Sequence, residues 1–340
     1  MIPPPHVQPT PQQRRRYVAY RTPCRPQIDG RIDKAFWSEA PWTESFVDIE
    51  GDARPAPIYA TRAKLLWDDA ALYVAAEMQE PHVWATLTQR DSIVYHDNDF
   101  EVFLSPTGDN HAYYELEINA LNTIFDLFLP KPYRDGGPAD HAWDVRGLQS
   151  AVHVNGTLND PRDEDRDWTV ELALPWSAFD RHGSTRCPPR DGDHWRLNFS
   201  RVQWDHEIAD GQYRKVAGRP EHNWVWSPQG VIDMHRPEQW GCLQFSSIVA
   251  GSGQASFVPD PSEPARDTLH RVYYAQLAFR HRNGRWASSL EELGADIGAP
   301  VTLRERPDGW EAGILIPSNG PDRECTIRHD SLVRTSEKPG

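Results

Sequence analysis

The chain lacks most of the features that mark familiar enzymes and membrane proteins. Its 340 residues include 4 cysteines with no Cys-x-x-Cys pair, so neither a zinc knuckle nor a redox pair is indicated. No apolar run approaches membrane-spanning length, and the N-terminus shows no charged region followed by an apolar stretch. A Gly-x-Ser-x-Gly elbow, a His-Glu-x-x-His helix and a phosphate loop are all missing. We therefore expect a soluble chain without a recognisable catalytic signature.

The chain has fewer basic than acidic residues, and this limits the classes of molecule that it can bind. The formal charge is −14, from 36 basic and 50 acidic residues. An acidic surface repels phosphate backbones, so nucleic-acid binding is disfavoured. Cys24, Cys187 and Cys242 are far apart in sequence, and a Cys24–Cys187 or Cys187–Cys242 bridge would need an oxidising compartment. Isolated buried thiols, including Cys325, are the default interpretation.

Aromatic residues are plentiful where helical periodicity is scarce. The sequence has 14 Trp, 11 Tyr and 11 Phe, which provide bulky core residues and flat faces for sugars alike. Short alternating segments separated by turns predict strands, and the antiparallel turns Asp68-Asp69-Ala70-Ala71 and Asn155-Gly156 predict a two-sheet sandwich. The predicted strands cover 60–67, 72–78, 100–104, 113–119, 124–129, 148–154, 168–174, 195–204 and 242–245. Trp67, Trp168, Trp176 and Trp195 are expected in the core.

Composition divides the chain into four parts. Residues 1–26 are rich in Pro, Gln and Arg and predict a flexible N-terminal arm. The β-sandwich is expected over 27–248, and a Gly/Ser/Pro-rich linker over 249–264. Helical spacing from Leu269, a capping box at Ser288 and Glu291, and three short strands predict a small α+β appendage over 265–336.

A series of motifs in fixed order gives the sequence a family resemblance. The motifs are Ile28-Asp29-Gly30, Phe36-Trp37, Leu65-Leu66-Trp67-Asp68-Asp69, Leu72-Tyr73-Val74, His96-Asp97-Asn98-Asp99-Phe100-Glu101, Trp168-Thr169-Val170-Glu171, Leu174-Pro175-Trp176 and Pro237-Glu238-Gln239-Trp240-Gly241. In this order, from Ile28 to Phe245, they resemble the family 9 carbohydrate-binding modules. The resemblance implies an antiparallel β-sandwich of the immunoglobulin or jelly-roll kind that binds glycans without catalysis. It also implies export to the periplasm or outside the cell, although no signal peptide is present; otherwise the protein is expected in the cytoplasm.

The resemblance also implies a site in which two aromatic rings clamp a terminal sugar. Tyr95 falls where one ring sits, and Glu101 matches a position that hydrogen-bonds the sugar. Two departures alter this pattern: Glu117 stands where characterised sugar binders have arginine, and Met234 falls where the second ring would be. Trp143, Trp224 or Trp226 is expected to supply a substitute ring, and Arg134 a substitute cation. The predicted carbohydrate-binding residues are Tyr95, Glu101, Glu117, Arg134, Trp143 and Trp226.

Alternatives stay open at several of these residues. Tyr95 could simply pack on the acidic turn, and Glu115 and Glu117 could belong to a solvated sheet face. Asp97 and Asp99 alternate with Glu101 as oxygen ligands of a structural calcium could, although an EF-hand glycine and distal glutamate are missing. A solvated loop is the likelier account of the similar run from Asp163 to Asp167.

The function favoured by the sequence is non-catalytic carbohydrate binding in glycan uptake or catabolism. No cofactor is expected to be required, and a structural calcium is the one metal that the acidic spacing would suit. One alternative is a glycoside hydrolase whose two acids cannot be chosen from the sequence. The other is a structural or interaction domain that kept the fold and lost the sugar site.

Overall fold

A computed structural model describes residues 4–179, 186–294, 297–316 and 322–337. The larger, N-terminal part of the chain consists of β1 Arg16–Arg21, α1 Ala35–Ser38, β2 Val47–Asp48, β3 Thr61–Trp67, β4 Ala71–Gln79, β5 Asp99–Ser105, β6 Tyr113–Asn119, β7 Ile124–Leu129, β8 Gln149–Asn155, β9 Asp167–Pro175, β10 His194–Gln203, β11 His206–Ala209, β12 Gln212–Lys215, β13 His222–Val225 and β14 Gly241–Val249. The C-terminal part consists of α2 Glu263–Asn283, α3 Leu290–Leu293, β15 Thr302–Arg306, β16 Gly309–Ile316, β17 Arg323–Arg328 and β18 Val333–Glu337.

One 12-stranded sheet builds the larger part, with its main path in the order β7-β6-β5-β10-β14-β1-β3-β4-β9-β8. β13 pairs with β10 beside β14, and β2 pairs with β13. Strands from opposite ends of this order share one hydrophobic cluster, as Leu116 on β6 and Val170 on β9 do. The sheet therefore curls into two packed layers. The predicted all-β sandwich with a small C-terminal α+β appendage is confirmed.

The N-terminal arm predicted over residues 1–26 needs a correction at residues 16–21. This segment is β1, an internal strand that runs parallel to both β14 and β3 in an otherwise antiparallel sheet. Tyr17 and Ala19 are buried by alternation. The sequence signal was weak because only two apolar side chains alternate within an Arg-rich stretch. Before this strand, Thr10 N–H donates to Gly230 O at 3.0 Å.

A second correction concerns the turn after Asn155. β8 ends there, but β9 begins only at Asp167, so Asn155-Gly156 does not form a tight hairpin. The carboxylate of Asp165 instead folds the intervening loop by accepting from Thr157 N at 2.6 Å and Val83 N at 2.7 Å. Asp165 and Asp167 are buried, so the solvated loop expected for this acidic run is wrong for both residues.

Strand alternation decides which side chains of β5 and β6 face the core. The residues that enter the main core cluster are Phe100, Val102 and Leu104 on β5 and Tyr114, Leu116 and Ile118 on β6. Asp99 and Glu101 on β5, and Glu115 and Glu117 on β6, therefore lie on the opposite face of the sheet. The four tryptophans predicted as core rings are at most 4% exposed and join the same cluster.

The C-terminal part has a hydrophobic cluster of its own, in which Leu269 and Tyr273 of α2 pack with Trp310 and Ile327 of the sheet β15-β16-β17-β18. The sequence predicted the helix and three strands but missed β18. The side chain that caps α3 is Ser289, one residue after the predicted Ser288. Within the described ranges, no helix combines the length and apolar character needed to cross a membrane.

Candidate functional site

Four carboxylates lie together on the face of β5 and β6 that points away from the main core. Asp99, Glu101, Glu115 and Glu117 are each at most 6% exposed. Glu101 and Glu117 stand directly opposite each other in the antiparallel register. One oxygen from each of Asp99, Glu101 and Glu117 lies within 4.8 Å of the others. The solvated sheet face considered for Glu115 and Glu117 is therefore wrong, and we call these four residues the acid cluster.

Burial makes ionisation of the acid cluster costly. It raises the pKa of Glu101 to about 7. It also raises the pKa of Asp99, Glu115 and Glu117 well above their usual range, and the neighbouring carboxylates raise these pKa values further. Like charges in a desolvated site cannot all persist without a partner. At neutral pH the acid cluster must therefore share protons or receive a positive charge from a ligand.

Protein cations do not supply that charge in the part of the chain that the structure describes. The closest ionisable base is His235, whose Nε2 lies 3.8 Å from Glu115 Oε2, and burial lowers the pKa of this histidine to about 4. Lys215 is near enough for the charges of Asp97 and Asp99 to oppose the lowering of its pKa by burial, but its Nζ sits 3.5 Å from the centroid of the Trp204 ring and forms no ion pair with a described carboxylate. Asp99 Oδ2 and Glu115 Oε2 are buried without a hydrogen-bond partner.

Tyr95 forms one side of the rim around the acid cluster. It lies in the 3-10 turn Val94–His96, and its side chain is among the exposed large hydrophobic groups at 38%. Its backbone N–H donates to Glu117 Oε2 at 2.8 Å, and its carbonyl accepts from Trp204 Nε1 at 2.9 Å. The turn therefore fixes an accessible ring next to the carboxylates.

Tyr133 forms a second side of the rim, and the sequence analysis did not select it. The residue is 43% exposed in the 3-10 turn Tyr133–Asp135, and its ring centroid lies 4.5 Å from that of His235. Burial, then the charges of Glu115 and Glu117, raise the pKa of Tyr133 to about 12. Glu117 adds likewise to the effect of burial on the pKa of Tyr95. Two accessible tyrosine rings thus border the same carboxylates.

Arg134, predicted as a cation of the site, points elsewhere. Its Nη2 donates to Glu238 Oε2 at 2.8 Å and its Nε to Tyr273 Oη at 3.3 Å. The side chain is 3% exposed. It therefore lies in the contact between the larger part of the chain and α2, so its proposed role as a sugar ligand is corrected.

Trp143 and Trp226 are also corrected as sugar-stacking rings. Trp143 is 8% exposed and packs 4.8 Å from the Tyr114 ring in the main core. Trp226 is fully buried, with its Nε1 donating to Glu44 Oε2 at 3.0 Å. Trp224, the third alternative, is 3% exposed under the Arg201 guanidinium. A sugar cannot stack on a ring face that the core already covers.

Asp97 is a structural residue rather than a cation ligand. Its two carboxylate oxygens accept from Thr86 N, Thr86 Oγ1 and Leu87 N, each at 2.8 Å, and from Asn119 Nδ2 at 3.0 Å. These bonds hold the loop that contains Thr86 and Leu87 against the start of β5. Of the two predicted metal ligands, only Asp99 belongs to a group whose oxygens converge.

Comparison with known proteins shows a family similarity over part of the chain. Residues 28–188 match the family model described as "Carbohydrate family 9 binding domain-like". This segment is similar to the family 9 carbohydrate-binding domains. The family 9 resemblance seen in the motifs is thereby confirmed for this segment, which includes Tyr95, the acid cluster and Tyr133. The matched region ends within the sandwich, before β10, and does not reach the C-terminal appendage.

Individual relatives are distant. Exoglucanase XynX of Acetivibrio thermocellus is 26% identical over 156 residues, which are 45% of this chain and 12% of that enzyme. A Bacteroides uniformis protein described as carbohydrate-binding has 18% identity and a TM-score of 0.52, over 69% of this chain and 100% of its own, and it shares the fold. A family 9 module of Caldicellulosiruptor kristjanssonii in complex with cellotriose has 16% identity and a TM-score of 0.45, over 72% of this chain and 100% of its own.

Proposed function

We propose that this protein binds carbohydrate, without cleaving it, between Tyr95 and Tyr133 and above the acid cluster. The observation that carries the proposal is the pair of accessible rings bordering one set of buried carboxylates, inside the segment that matches a carbohydrate-binding family. Glycan uptake or catabolism is the process that such binding would serve. Export to the periplasm or the outside of the cell is the location we propose with it.

The chemistry of sugars fits this arrangement. One face of a pyranose is apolar and stacks on an aromatic ring, whereas its edge carries hydroxyl groups that need hydrogen bonds to offset lost water. Tyr95 and Tyr133 offer the ring faces. Glu101 and Glu117 offer carboxylate oxygens, which are strong acceptors for hydroxyl donors. Met234 has no ring and is only 9% exposed. Tyr133 would therefore provide the second ring.

The two alternative functions fit the geometry less well. Glycosidases need two carboxylates on either side of the bond that breaks, whereas the acid cluster lies on one sheet face, with oxygens of Asp99, Glu101 and Glu117 within 4.8 Å of one another. Glu171, an acid on a different strand, is fully buried, and its carboxylate accepts hydrogen bonds from Asp29 N, Gly30 N and Trp37 Nε1. A pure interaction domain gives no reason for exposed rings to border a set of buried acids.

The proposal predicts that loss of either ring weakens binding to a glycan found by array screening. Tyr95→Ala and Tyr133→Ala should each reduce affinity by roughly tenfold, because a stacked ring contributes on the order of 1 kcal/mol or more. Isothermal titration calorimetry measures the affinities. Melting temperatures should change little, because both rings are exposed.

Leu315→Ala is a matched control, since Leu315 is 50% exposed on β16, outside the proposed site. This variant should bind the glycan as the parent does. Unchanged affinity in both tyrosine variants would place the ligand elsewhere, and no binding to any glycan by the parent would remove the proposed function.

A further inference from the structure

The acid cluster is arranged as a cation site would be. Calcium binds carboxylate oxygens at about 2.3–2.6 Å, so oxygens on opposite sides of the ion are at most about 5 Å apart. The oxygens of Asp99, Glu101 and Glu117, within 4.8 Å of one another, fall inside that span. They come from adjacent positions on two paired strands of a packed sheet, which holds them rigidly.

Unpartnered oxygens provide a second, independent observation. Asp99 Oδ2 is buried without a hydrogen bond to any described residue, and so is Glu115 Oε2, on a residue just outside the converging group. A buried carboxylate oxygen without a donor costs free energy unless a ligand completes it. Asp99 Oδ1, by contrast, accepts from Val202 N at 3.1 Å, so the carboxylate is fixed with one oxygen left over.

The other converging group of acids in the described residues shows what a satisfied cluster looks like. Asp91, Asp126 and Asp144 also have oxygens within 4.8 Å of one another. Arg90 lies among them, with its Nη2 at 2.6 Å from Asp126 and 2.8 Å from Asp144. The guanidinium already forms ion pairs with these carboxylates, which is the place that an added cation would take. The acid cluster has no comparable protein cation among the described side chains.

We propose that Asp99, Glu101 and Glu117 bind a calcium ion, with Glu115 as an outer carboxylate, and that the ion coordinates sugar hydroxyls between Tyr95 and Tyr133. The part that concerns sugar rests on the proposed function, whereas the ion site does not. Three carboxylates would over-neutralise the ion and leave coordination positions on the side of the two rings.

The ion site is tested first, without sugar. The full-length protein is freed of metal with EGTA, dialysed, and titrated with calcium chloride by calorimetry. We expect one ion per chain, and at least tenfold weaker binding in Glu117→Gln. Glu101→Gln provides a second variant should Glu117→Gln fail to fold by circular dichroism. Asp163→Asn, an exposed acid outside the acid cluster, is the control and should bind calcium as the parent does.

Two outcomes would overturn the ion site. One is an absence of binding heat with calcium. The other is parent-like calcium affinity in the folded glutamine variants, which would place the ion elsewhere. The sugar part is tested by measuring glycan affinity in excess calcium and in EGTA, and we expect a loss of at least tenfold in EGTA. Equal affinity in both buffers would overturn the ion's contact with sugar while the proposed function stands. Calcium binding without any glycan binding would leave the ion site and remove the proposed function.

Discussion

Glu171 and Glu117 are both buried glutamates, yet their surroundings differ completely. Glu171 Oε2 accepts from Asp29 N at 2.9 Å, Gly30 N at 2.8 Å and Lys34 Nζ at 2.6 Å, and Trp37 Nε1 donates to its other oxygen at 2.7 Å. Glu117 accepts from Tyr95 N and otherwise faces other carboxylates. Glu171 therefore links the N-terminal loop to β9 through its hydrogen bonds, whereas Glu117 belongs to the proposed ligand site.

This contrast predicts opposite effects of one isosteric change. Glu171→Gln should destabilise the fold by about 3 kcal/mol, because an amide removes the ion pair with Lys34 and turns a donor toward other donors. Glu117→Gln, measured in EGTA, should be neutral or stabilising by about 1 kcal/mol, because it removes one of several repelling charges and keeps an acceptor for Tyr95. Urea unfolding measures both. Equal destabilisation by the two changes would mean that Glu117 is also a structural hub.

Single residues of the site were only partly predictable from the sequence. Tyr95, Glu101 and Glu117 were selected because a family motif places them, and the structure brings them together. Tyr133 was missed because its neighbour Arg134 offered the charge that the altered motif had lost. Two side chains adjacent in a 3-10 turn point in different directions, and only the packing of α2 decides which one is buried. Burial likewise excludes Trp143 and Trp226 as sugar-stacking rings. The sequence around them does not indicate that the core covers their ring faces.

At the scale of elements, helix α2 holds the loop that carries Tyr133. Tyr273 Oη on α2 donates to Asp135 Oδ1 at 2.5 Å, and Ser331 Oγ, just before β18, donates to Asp135 Oδ2 at 2.6 Å. Arg134 on the same turn bonds Tyr273 and Glu238. The C-terminal part therefore fixes the backbone of the 3-10 turn while the Tyr133 side chain stays accessible.

Tyr273→Phe tests this coupling between α2 and the loop. The change removes the bonds to Asp135 and Arg134, worth on the order of 1–2 kcal/mol, and frees the turn to move. We expect glycan affinity to fall about threefold or more, because Tyr133 must then be ordered on binding. Calorimetry against the same glycan measures the effect. Tyr20→Phe, which loses the bond donated by Ala255 N at 3.0 Å and the bond donated to Ala255 O at 3.5 Å, is the control with parent-like affinity, and an equal loss in both variants would argue against the coupling.

At the scale of the whole molecule, a buried polar contact joins the two parts of the chain. Although burial opposes ionisation, Arg134 and hydrogen bonds lower the pKa of Glu238 to about 2. The other Glu238 oxygen accepts from Tyr274 Oη, and Arg236 Nη1 donates to Tyr274 Oη at 3.2 Å. Val333 N–H also donates to Asp109 O at 3.0 Å, which ties β18 to the larger part.

The sequence predicts the β-sandwich but not the polar contact between the two parts of the chain. All nine predicted strands are present, because alternation and flanking turns are local signals. β1 was missed because its place depends on β14 and β3, which are far away in sequence. The Gly/Ser/Pro-rich segment after Ala250 lies between the end of β14 and the start of α2. Composition does not predict that Arg134 and Glu238 form an ion pair beside α2, because these residues are far apart in the sequence.

His270 makes the contact between the two parts sensitive to acid. Its Nε2 accepts from Asn110 Nδ2 at 2.7 Å and its Nδ1 donates to Arg266 O at 2.8 Å, so the ring is held neutral. Burial lowers the pKa of His270 to about 4, with Glu238 opposing and Arg134 adding to the effect. Asp267, the other acid nearby, also opposes it.

Because the folded-state pKa of His270 lies below the usual histidine value near 6.5, the unfolded chain binds more protons between these two pH values. Stability should therefore be complete above about pH 6.5 and fall by on the order of 3 kcal/mol as the pH drops to about 4. His270→Gln should remove this share of the slope in urea unfolding measured across the range. His141→Gln, on an exposed histidine, is the control. A parent-like slope in His270→Gln would mean that other groups, such as His235, carry the acid sensitivity.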